Sequence, residues 1–385
     1  MDEAGIHCDS GQNHRTAVGS PAEGVRLATL TMVDRSDRWR QTATKGMTVD
    51  IAIVGAAGML GRKLSHRLVL DGGLGDQALD GLSLVDVVQP DDPRGGAGDG
   101  PGAPAWSGQV QYVGADLAAP GEADRVIRDR PDVIFHLAAV VSGEAEADFD
   151  LGYRVNLDGT RSLLEAIRVA HAADGYCPRL VFTSSIAVYG APLPHAIPED
   201  FHPTPLTSYG TQKAIAELLL ADYTRRGFVD GIGIRLPTIC IRPGKPNRAA
   251  SGFFSSILRE PLVGQEAVLP VPERVRHWHA SPRSAVAFLL RAATLDGAAV
   301  GPRRTLSMPG LSATVGEQIE ALRRVAGDKA VRLIRHEPDP MIMGIVDGWA
   351  AALESTRAER LGFTAESSFD DIIGVHIEDE LGGSL

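Results

Sequence analysis

Cysteine is nearly missing from this 385-residue sequence: Cys8, Cys177 and Cys240 are far apart and form no CxxC pair. That scarcity argues against a disulfide framework or a zinc site and fits a reducing compartment. No apolar run approaches the ~20 residues that a membrane-spanning helix needs. The opening Met1-Asp2-Glu3 has neither the basic nor the apolar segment of a secretory leader, so a cytoplasmic protein with no membrane partner is expected. Basic residues are in deficit too, 38 Lys and Arg against 49 Asp and Glu, for a formal net charge of −11. A nucleic-acid partner would require a basic face, so none is expected. What remains is ordinary globular material, with 44% hydrophobic and 23% charged residues. The length suits a large domain with a smaller appendage.

Residues 1–46 are polar, mixed in charge and without periodicity. They read as a disordered extension, with Met47 as the natural start. The organising stretch follows at once. Residues 49–54 make an apolar strand, then comes Gly55-Ala56-Ala57-Gly58-Met59-Leu60-Gly61, and Leu60, Leu64 and Leu68 recur at helical spacing. A strand that breaks on glycine and restarts as a helix points unsatisfied N–H groups and the positive end of the helix dipole at the turn. The natural occupant is a phosphate. Here Gly55 permits the tight turn, Gly58 the approach of a pyrophosphate, and Gly61 close helix–strand packing. A second apolar run, 82–86, ends in Asp86, near the position where a carboxylate accepts the ribose hydroxyls of an adenosine. Its charge would repel a 2′-phosphate, which favours NAD.

Residues 89–108 are rich in Gly, Pro and Asp and read as a surface loop. Strand character resumes at 110–117, closing on Asp116-Leu117, and again at 132–139, closing on Ala138-Ala139, small enough for a planar ligand to lie against. A helix with Leu151, Val155, Leu163, Leu164 and Ile167 on its apolar side carries Asn156, a poor helix former that asks for a partner. A strand at 179–185, a helix opening at 208–213 and a strand at 231–236 follow. Strands alternating with helices in this order imply an α/β protein with a parallel, doubly wound sheet. After about Ile241 the pattern loosens, leaving helical pieces near 314–327 and 349–361 and the outline of a second, smaller domain over the carboxyl edge of the sheet. In open α/β sheets ligands bind at that edge.

Tyr209 and Lys213 stand four apart, hence on one face of a helix. An ammonium near a phenol stabilises the phenolate and lowers a pKa that is otherwise about 10. That makes the tyrosine a usable proton acceptor. Ser185, at the end of the preceding strand, can hold a substrate oxygen beside it.

Taken together, GxxGxxG at 55–61, Asp86, Asp116-Leu117, the run His136 to Ala139, Asn156, Ser185 and Tyr209 with Lys213 resemble the extended short-chain dehydrogenase/reductase family of the NAD-dependent epimerase/dehydratase type. The resemblance covers residue 49 to about 376. It implies a Rossmann-type NAD-binding domain, 47–240, with 276–295 packing back on it, and a smaller C-terminal α/β substrate domain, 241–385. It implies Tyr209 as acid/base, Lys213 on the nicotinamide ribose, Ser185 rather than Ser184 on the reacting oxygen, and Asn156 in support of a proton relay. The implied cofactor contacts are Gly55, Gly58, Met59, Leu60, Gly61, Asp86, Asp116, Leu117, Ala138, Ala139, Asn156, Tyr209, Lys213 and Pro237. A homodimer is implied as well, through the helices bearing Asn156 and Tyr209.

Residues 141–148 and 235–248, with His277-Trp278-His279 and Arg283, are further similar to a branch of that family acting on short sugar acids such as D-erythronate. The resemblance implies Ser142 and Ser185 as substrate contacts. A four-carbon acid needs a cation for its carboxylate, and Arg242, Lys245 or Arg248 could supply it. Glu144, Glu146 and Asp148 would repel such an acid if they faced the pocket. The two histidines around Trp278 read as packing residues, so no metal is expected. The expected reaction is oxidation of the 2-hydroxyl to the 2-oxo acid. The alternative is a nucleotide-sugar epimerase or dehydratase that recycles its NAD within one turnover. A dinucleotide sensor without turnover is disfavoured by Tyr209 and Lys213.

Overall fold

The computed structural model describes residues 48–95, 106–244 and 250–384. Met47 and the expected extension 1–46, and Lys245 and Arg248 with the rest of 245–249, lie outside the described residues.

Among the described residues seven parallel strands make the main sheet in the order β4, β3, β1, β5, β6, β7, β11: Val110–Gly114, Gln77–Asp86, Thr48–Val54, Val133–His136, Arg179–Ser185, Asp230–Leu236 and Thr305–Ser307. A two-residue strand β2, Gly73–Leu74, folds back antiparallel on the start of β3. The first six strands follow the 3-2-1-4-5-6 arrangement of a Rossmann-type fold, whose direction of winding reverses between β1 and β5. Helices cover both faces, so the central strands are apolar on both sides. Ile51 and Ile53 pack with Leu64, Phe135, Val181 and Phe288, while Ala52 and Val54 pack with Ile134, Leu163, Leu180 and Phe182. Phe288 belongs to the helix Pro282–Thr294, which lies against β6, β7 and the helix Met59–Asp71.

Beyond β7 the chain builds two small sheets. β8 (Thr238–Ile239), β10 (Arg276–Ala280) and β12 (Leu311–Thr314) form one, and β9 (Ala267–Leu269) with β13 (Ile334–His336) the other. Phe254, Ile257 and Leu258 of the helix Gly252–Leu262, Leu322 of the helix Val315–Val331, and Ile372 and Ile373 of the helix Phe369–Glu380 close a separate core there.

Three details depart from the sequence reading. β4 stops at Gly114, because Asp116 turns the chain by accepting the N–H of Ala118 on its carboxylate (3.1 Å) and that of Ala119 on its carbonyl (2.8 Å). The stretch 349–361 is helical only over Thr356–Arg360, since Ala352 and Glu354 instead bond to Ile197, each at 2.9 Å. The helices Gly252–Leu262, Pro282–Thr294 and Phe369–Glu380 were not separated out in the sequence.

At the opposite edge of the sheet from the candidate site, Asp230 sits between two guanidiniums. It accepts from Arg179 Nε at 2.7 Å and pairs with Arg304, and all three residues are under 10% exposed. Arg179 also donates to the carbonyl of Ala292 at 2.8 Å, tying the end of the helix Pro282–Thr294 to β6. Replacing Asp230 by Asn removes the countercharge from a buried cluster. The expected loss is about 3–5 kcal/mol, read as a lower urea midpoint at unchanged slope.

Candidate active site

The glycine turn is shaped by close contact. Gly55 has φ +90°, and a Cβ there would lie 2.5 Å from the Ala138 nitrogen; one on Gly61 would lie 2.3 Å from the Gly55 carbonyl oxygen. Neither position tolerates a side chain. Gly58 is the N-cap of the helix Met59–Asp71 and supplies no capping side chain, whereas Thr207, Ser281, Thr314 and Ser368 all cap their helices. The first-turn N–H groups of Met59, Leu60 and Gly61 therefore face the crevice without a side-chain acceptor, which is what a pyrophosphate requires. Asp86 closes the other side of the turn. Its carboxylate accepts from Ala57 N–H at 2.9 Å and Val88 N–H at 3.2 Å, and no cation pairs with it among the described residues. Acceptor capacity is left over for ribose hydroxyls. The residues present thus fit a dinucleotide.

Tyr209 and Lys213 lie on the first turns of the helix Ser208–Arg225, whose start is fixed by Thr207 accepting the Gly210 N–H at 3.1 Å. Helical spacing brings the two together, yet not as the expected phenol–ammonium pair. Lys213 Nζ donates to the Thr183 carbonyl at 2.8 Å and lies 4.7 Å from the Phe182 ring centre and 5.8 Å from that of Tyr209. Burial pushes its pKa down to about 7, partly offset by Glu217 one turn along. The Tyr209 phenol is not lowered overall. Burial pushes it up, while a hydrogen bond with Ser185 and the charge of Arg242 act in the opposite sense. Arg242 is thus a second cation near the phenol, beside Lys213.

The two adjacent serines divide. Ser184 donates to Glu217 at 2.5 Å, and Glu217 is held by Arg235 at 2.9 and 2.6 Å. Ser185 accepts from Ala187 N–H at 3.1 Å and faces Tyr209. Asn156 stands apart from them. It lies in a wide helical turn, Tyr153–Asp158, and its amide is spent on Val140 N–H (2.8 Å), Val140 C=O (3.1 Å) and Gln212 (2.7 Å). Its bonds to Val140 fix the backbone after β5.

A cavity of about 460 Å³ joins these parts. Of the expected residues, Gly55, Gly58, Met59, Leu60, Gly61, Ala139, Ser142, Ser185, Tyr209, Lys213, Pro237 and Arg242 line it. Asp86, Asp116, Leu117, Ala138 and Asn156 do not. Asp116 pairs with Arg154, Leu117 is in the core, and Ala138 presses its backbone on Gly55. Thr238, Ser251, Ser255 and Arg259 line the cavity without having been singled out. Its described walls hold three cations, Lys213, Arg242 and Arg259, and no carboxylate. Glu144, Glu146 and Asp148 are absent from them; Glu146 instead takes the Ser208 N–H (3.0 Å) and Asp148 that of Leu151 (3.0 Å). Arg259 is paired with Glu260 at 2.5 Å. Arg242 bonds only neutral groups, the Ile239 carbonyl at 3.0 Å and the Ser251 hydroxyl at 2.7 Å, and no carboxylate pairs with it among the described residues. Ser251 precedes the helix Gly252–Leu262 without capping it, so a second helix start faces the cavity beside Arg242.

Among the described residues no group of three or more His, Cys, Asp or Glu is placed to hold a metal ion. His277 and His279 are buried in an aromatic box with Phe254, Trp349 and Phe369. His277 Nδ1 bonds the Ala350 carbonyl at 2.9 Å and Nε2 the Thr238 hydroxyl at 2.7 Å. Burial pushes His277 down to about 4 and His279 well below its ordinary value.

Fold and site together define a nucleotide-binding enzyme class, and the comparisons agree. The chain belongs to the NAD dependent epimerase/dehydratase family, which matches residues 51–280. It is 47% identical to D-erythronate dehydrogenase of Cupriavidus necator and 42% identical to that of Haemophilus influenzae, over 86% and 85% of this chain and 98% of each relative. Among solved structures it is similar to a nucleoside-diphosphate-sugar epimerase from Agrobacterium tumefaciens, with a TM-score of 0.83 and 69% identity over 88% of this chain and 96% of that one. No helix among the described residues is long and apolar enough to cross a membrane.

The buried histidine gives a pH dependence of known sign. Between the ordinary value of 6.5 and about 4 the unfolded chain binds a proton that folded His277 refuses. Stability is therefore full above pH 6.5 and falls as the pH drops through that window. His277→Gln keeps a donor for Ala350 and an acceptor for Thr238 but cannot charge. Its midpoint temperature is expected to fall less steeply over this window than that of the parent protein in a thermal scan series.

Proposed function

We propose that the protein is an NAD-dependent oxidoreductase that converts the 2-hydroxyl of a short sugar acid, such as D-erythronate, to the 2-oxo acid. The observation that carries this reading is Arg242, a cation without a carboxylate partner among the described residues, near Tyr209 in a cavity whose charged described lining is basic. The relatives named D-erythronate dehydrogenase support it. The carboxylate of the acid binds the Arg242 guanidinium and the uncapped start of the helix Gly252–Leu262, as a charge-assisted pair. Ser185 holds the 2-hydroxyl, and Tyr209, as phenolate, accepts its proton. NAD, when bound, accepts the hydride from C2. Arg242 and Ser185 favour the phenolate against the burial that opposes it. Lys213, anchored on Thr183, holds the nicotinamide ribose, and the Asp86 carboxylate favours NAD over its 2′-phosphorylated form. On this reading residues 47–240 with 276–295 hold the cofactor, 241–385 hold the acid, and the working form is a cytoplasmic homodimer.

A second reading, favoured by the 69% identity to the structure named an epimerase, is a nucleotide-sugar reaction without net reduction of cofactor. Absorbance of reduced cofactor separates the two. D-Erythronate with NAD is expected to yield NADH in proportion to acid consumed; UDP-sugar turnover without net NADH, and none with the acid, refutes the dehydrogenase.

Tyr209→Phe is expected to cut kcat by about 10²–10⁴-fold while NADH binding, followed by fluorescence, is unchanged. Arg242→Gln removes a charged hydrogen bond worth about 1.5–3 kcal/mol, or roughly 10–100-fold in kcat/KM. Most of that loss should appear in KM. Because Arg242 favours the phenolate, its loss should also shift the rising limb of the kcat profile to higher pH.

A further inference from the structure

Like Ser184, whose proton goes to Glu217, the cavity-lining Thr238 carries a hydroxyl whose proton is already committed. Thr238, the first residue of β8, lines the cavity and lies 2.7 Å from His277 Nε2. The other ring nitrogen, Nδ1, lies 2.9 Å from the Ala350 carbonyl oxygen, which can only accept. Nδ1 must therefore carry the hydrogen. In the neutral ring Nε2 is then a bare acceptor, and the Thr238 hydroxyl must donate to it. The ring cannot easily reorient. It is stacked on Phe254, with centres 5.3 Å apart and planes 7° apart, and bounded by Trp349 at 5.1 Å and His279 at 5.4 Å. Those apolar surroundings keep it uncharged. The chain from Ala350 through His277 to Thr238 thus turns an ordinary hydroxyl into a group that offers the cavity lone pairs only.

We propose that Thr238, oriented by His277, is a specificity residue that accepts a hydrogen bond from a hydroxyl of the substrate beyond the reacting carbon, so that the site selects polyhydroxy acids over simple 2-hydroxy acids. This rests on the dehydrogenase reading. Thr238 lies four residues before Arg242 and both line the cavity, so the proposal places the outer carbons of an acid seated on Arg242 beside Thr238. An acid without the outer hydroxyl leaves the Thr238 oxygen without a partner in a half-buried position. Sites built to bond a hydroxyl discriminate strongly against analogues that lack it. A hydroxyl free to rotate would accept or donate; this one has a fixed direction, which gives the inference a distinctive test.

The test measures kcat/KM with NAD for D-erythronate, for its 3-deoxy and 4-deoxy analogues, for the two analogues in which fluorine replaces each of those hydroxyls, and for 2-hydroxybutyrate. Fluorine retains an acceptor and removes the donor. At one of the two positions the deoxy and fluoro acids are both expected to lose about 10–100-fold. A fluoro acid that works as well as D-erythronate, where the deoxy acid fails, would mean that Thr238 donates, and overturns the proposal. Thr238→Val should erase this discrimination, losing activity on D-erythronate while leaving 2-hydroxybutyrate within about threefold, and Thr238→Ser should restore it. Equal loss on every acid would mark a merely structural residue and overturn the proposal, as would a parent enzyme that does not discriminate. Should the parent oxidise D-erythronate and yet show no such pattern, this inference alone fails; should it oxidise none of the acids, the dehydrogenase reading fails and takes the inference with it.

Discussion

At the carboxyl end of β1 a single carbonyl, that of Val54, accepts hydrogen bonds from both Leu137 (2.8 Å) and Ala138 (3.0 Å), while Gly55 donates to Val85 (2.8 Å). The glycine turn is thereby pinned between the ends of β5 and β3. Every other part of the site takes its place from this junction. It sits where the direction of winding reverses, so the segments leaving β3 and β5 diverge and open a crevice over the turn. Leu137 and Ala139 on one side, and the start of the helix Met59–Asp71 on the other, become its walls. A side chain on Gly55 would strike the Ala138 backbone and drive those walls apart, so its left-handed conformation and its lack of a Cβ serve one purpose.

The opposite wall is held by buried charge. Glu217 takes two hydrogen bonds from Arg235 of β7 and one from Ser184 of β6, and the helix carrying it also carries Tyr209 and Lys213. Such a pair is weak evidence for stability, because removing both charges from water costs nearly what their attraction returns. Its value here is positional. Glu217 locks the helix to two strand ends, and Lys213, bonded to Thr183 one turn earlier, locks it again. The phenol of Tyr209 is therefore placed by the rigidity of its helix. Lys213 spends one of its three N–H donors on the Thr183 carbonyl, which holds the ammonium beside the ring of Tyr209.

The features legible in the sequence are those whose chemistry is local. GxxGxxG, the apolar strands and the four-residue step from Tyr209 to Lys213 are short-range patterns, and they led to the sheet, the cofactor turn and the acid/base helix. Arg242 was legible only as one of three basic residues in a loop, since its lack of a carboxylate partner depends on Ser251, Ile239 and the path of the chain between them. Thr238 carried no signal: its partner His277 is 39 residues away, and the Ala350 carbonyl that fixes the imidazole is 73 further on. Asn156 was noticed because helices disfavour it, yet nothing local shows that Val140 and Gln212 absorb its amide. The action of Arg242 on Tyr209 has no local signal either, as it joins the helix Ser208–Arg225 to the segment after β8.

The charge of the whole chain and the charge of the site point in opposite directions, and distance resolves the conflict. Much of the acid lies on the surface, in exposed ion pairs such as Arg67–Asp71 and Arg225–Asp222, where ions screen each charge beyond about 8–10 Å. In the cavity the charged side chains of the described walls are all basic, and the carboxylates of Glu146 and Asp148 are bound to the backbone N–H groups of Ser208 and Leu151. A polyanion such as nucleic acid must lie across the outer surface and meets the net charge. A small anion needs only to reach the cavity, where the Arg242 guanidinium and a helix start face it while the nearest carboxylates, Glu217 and Glu260, are already paired with Arg235 and Arg259. The deficit of basic residues thus argues against the large partner and is silent about the small one, whose binding depends on the few cations that the fold gathers at one sheet edge.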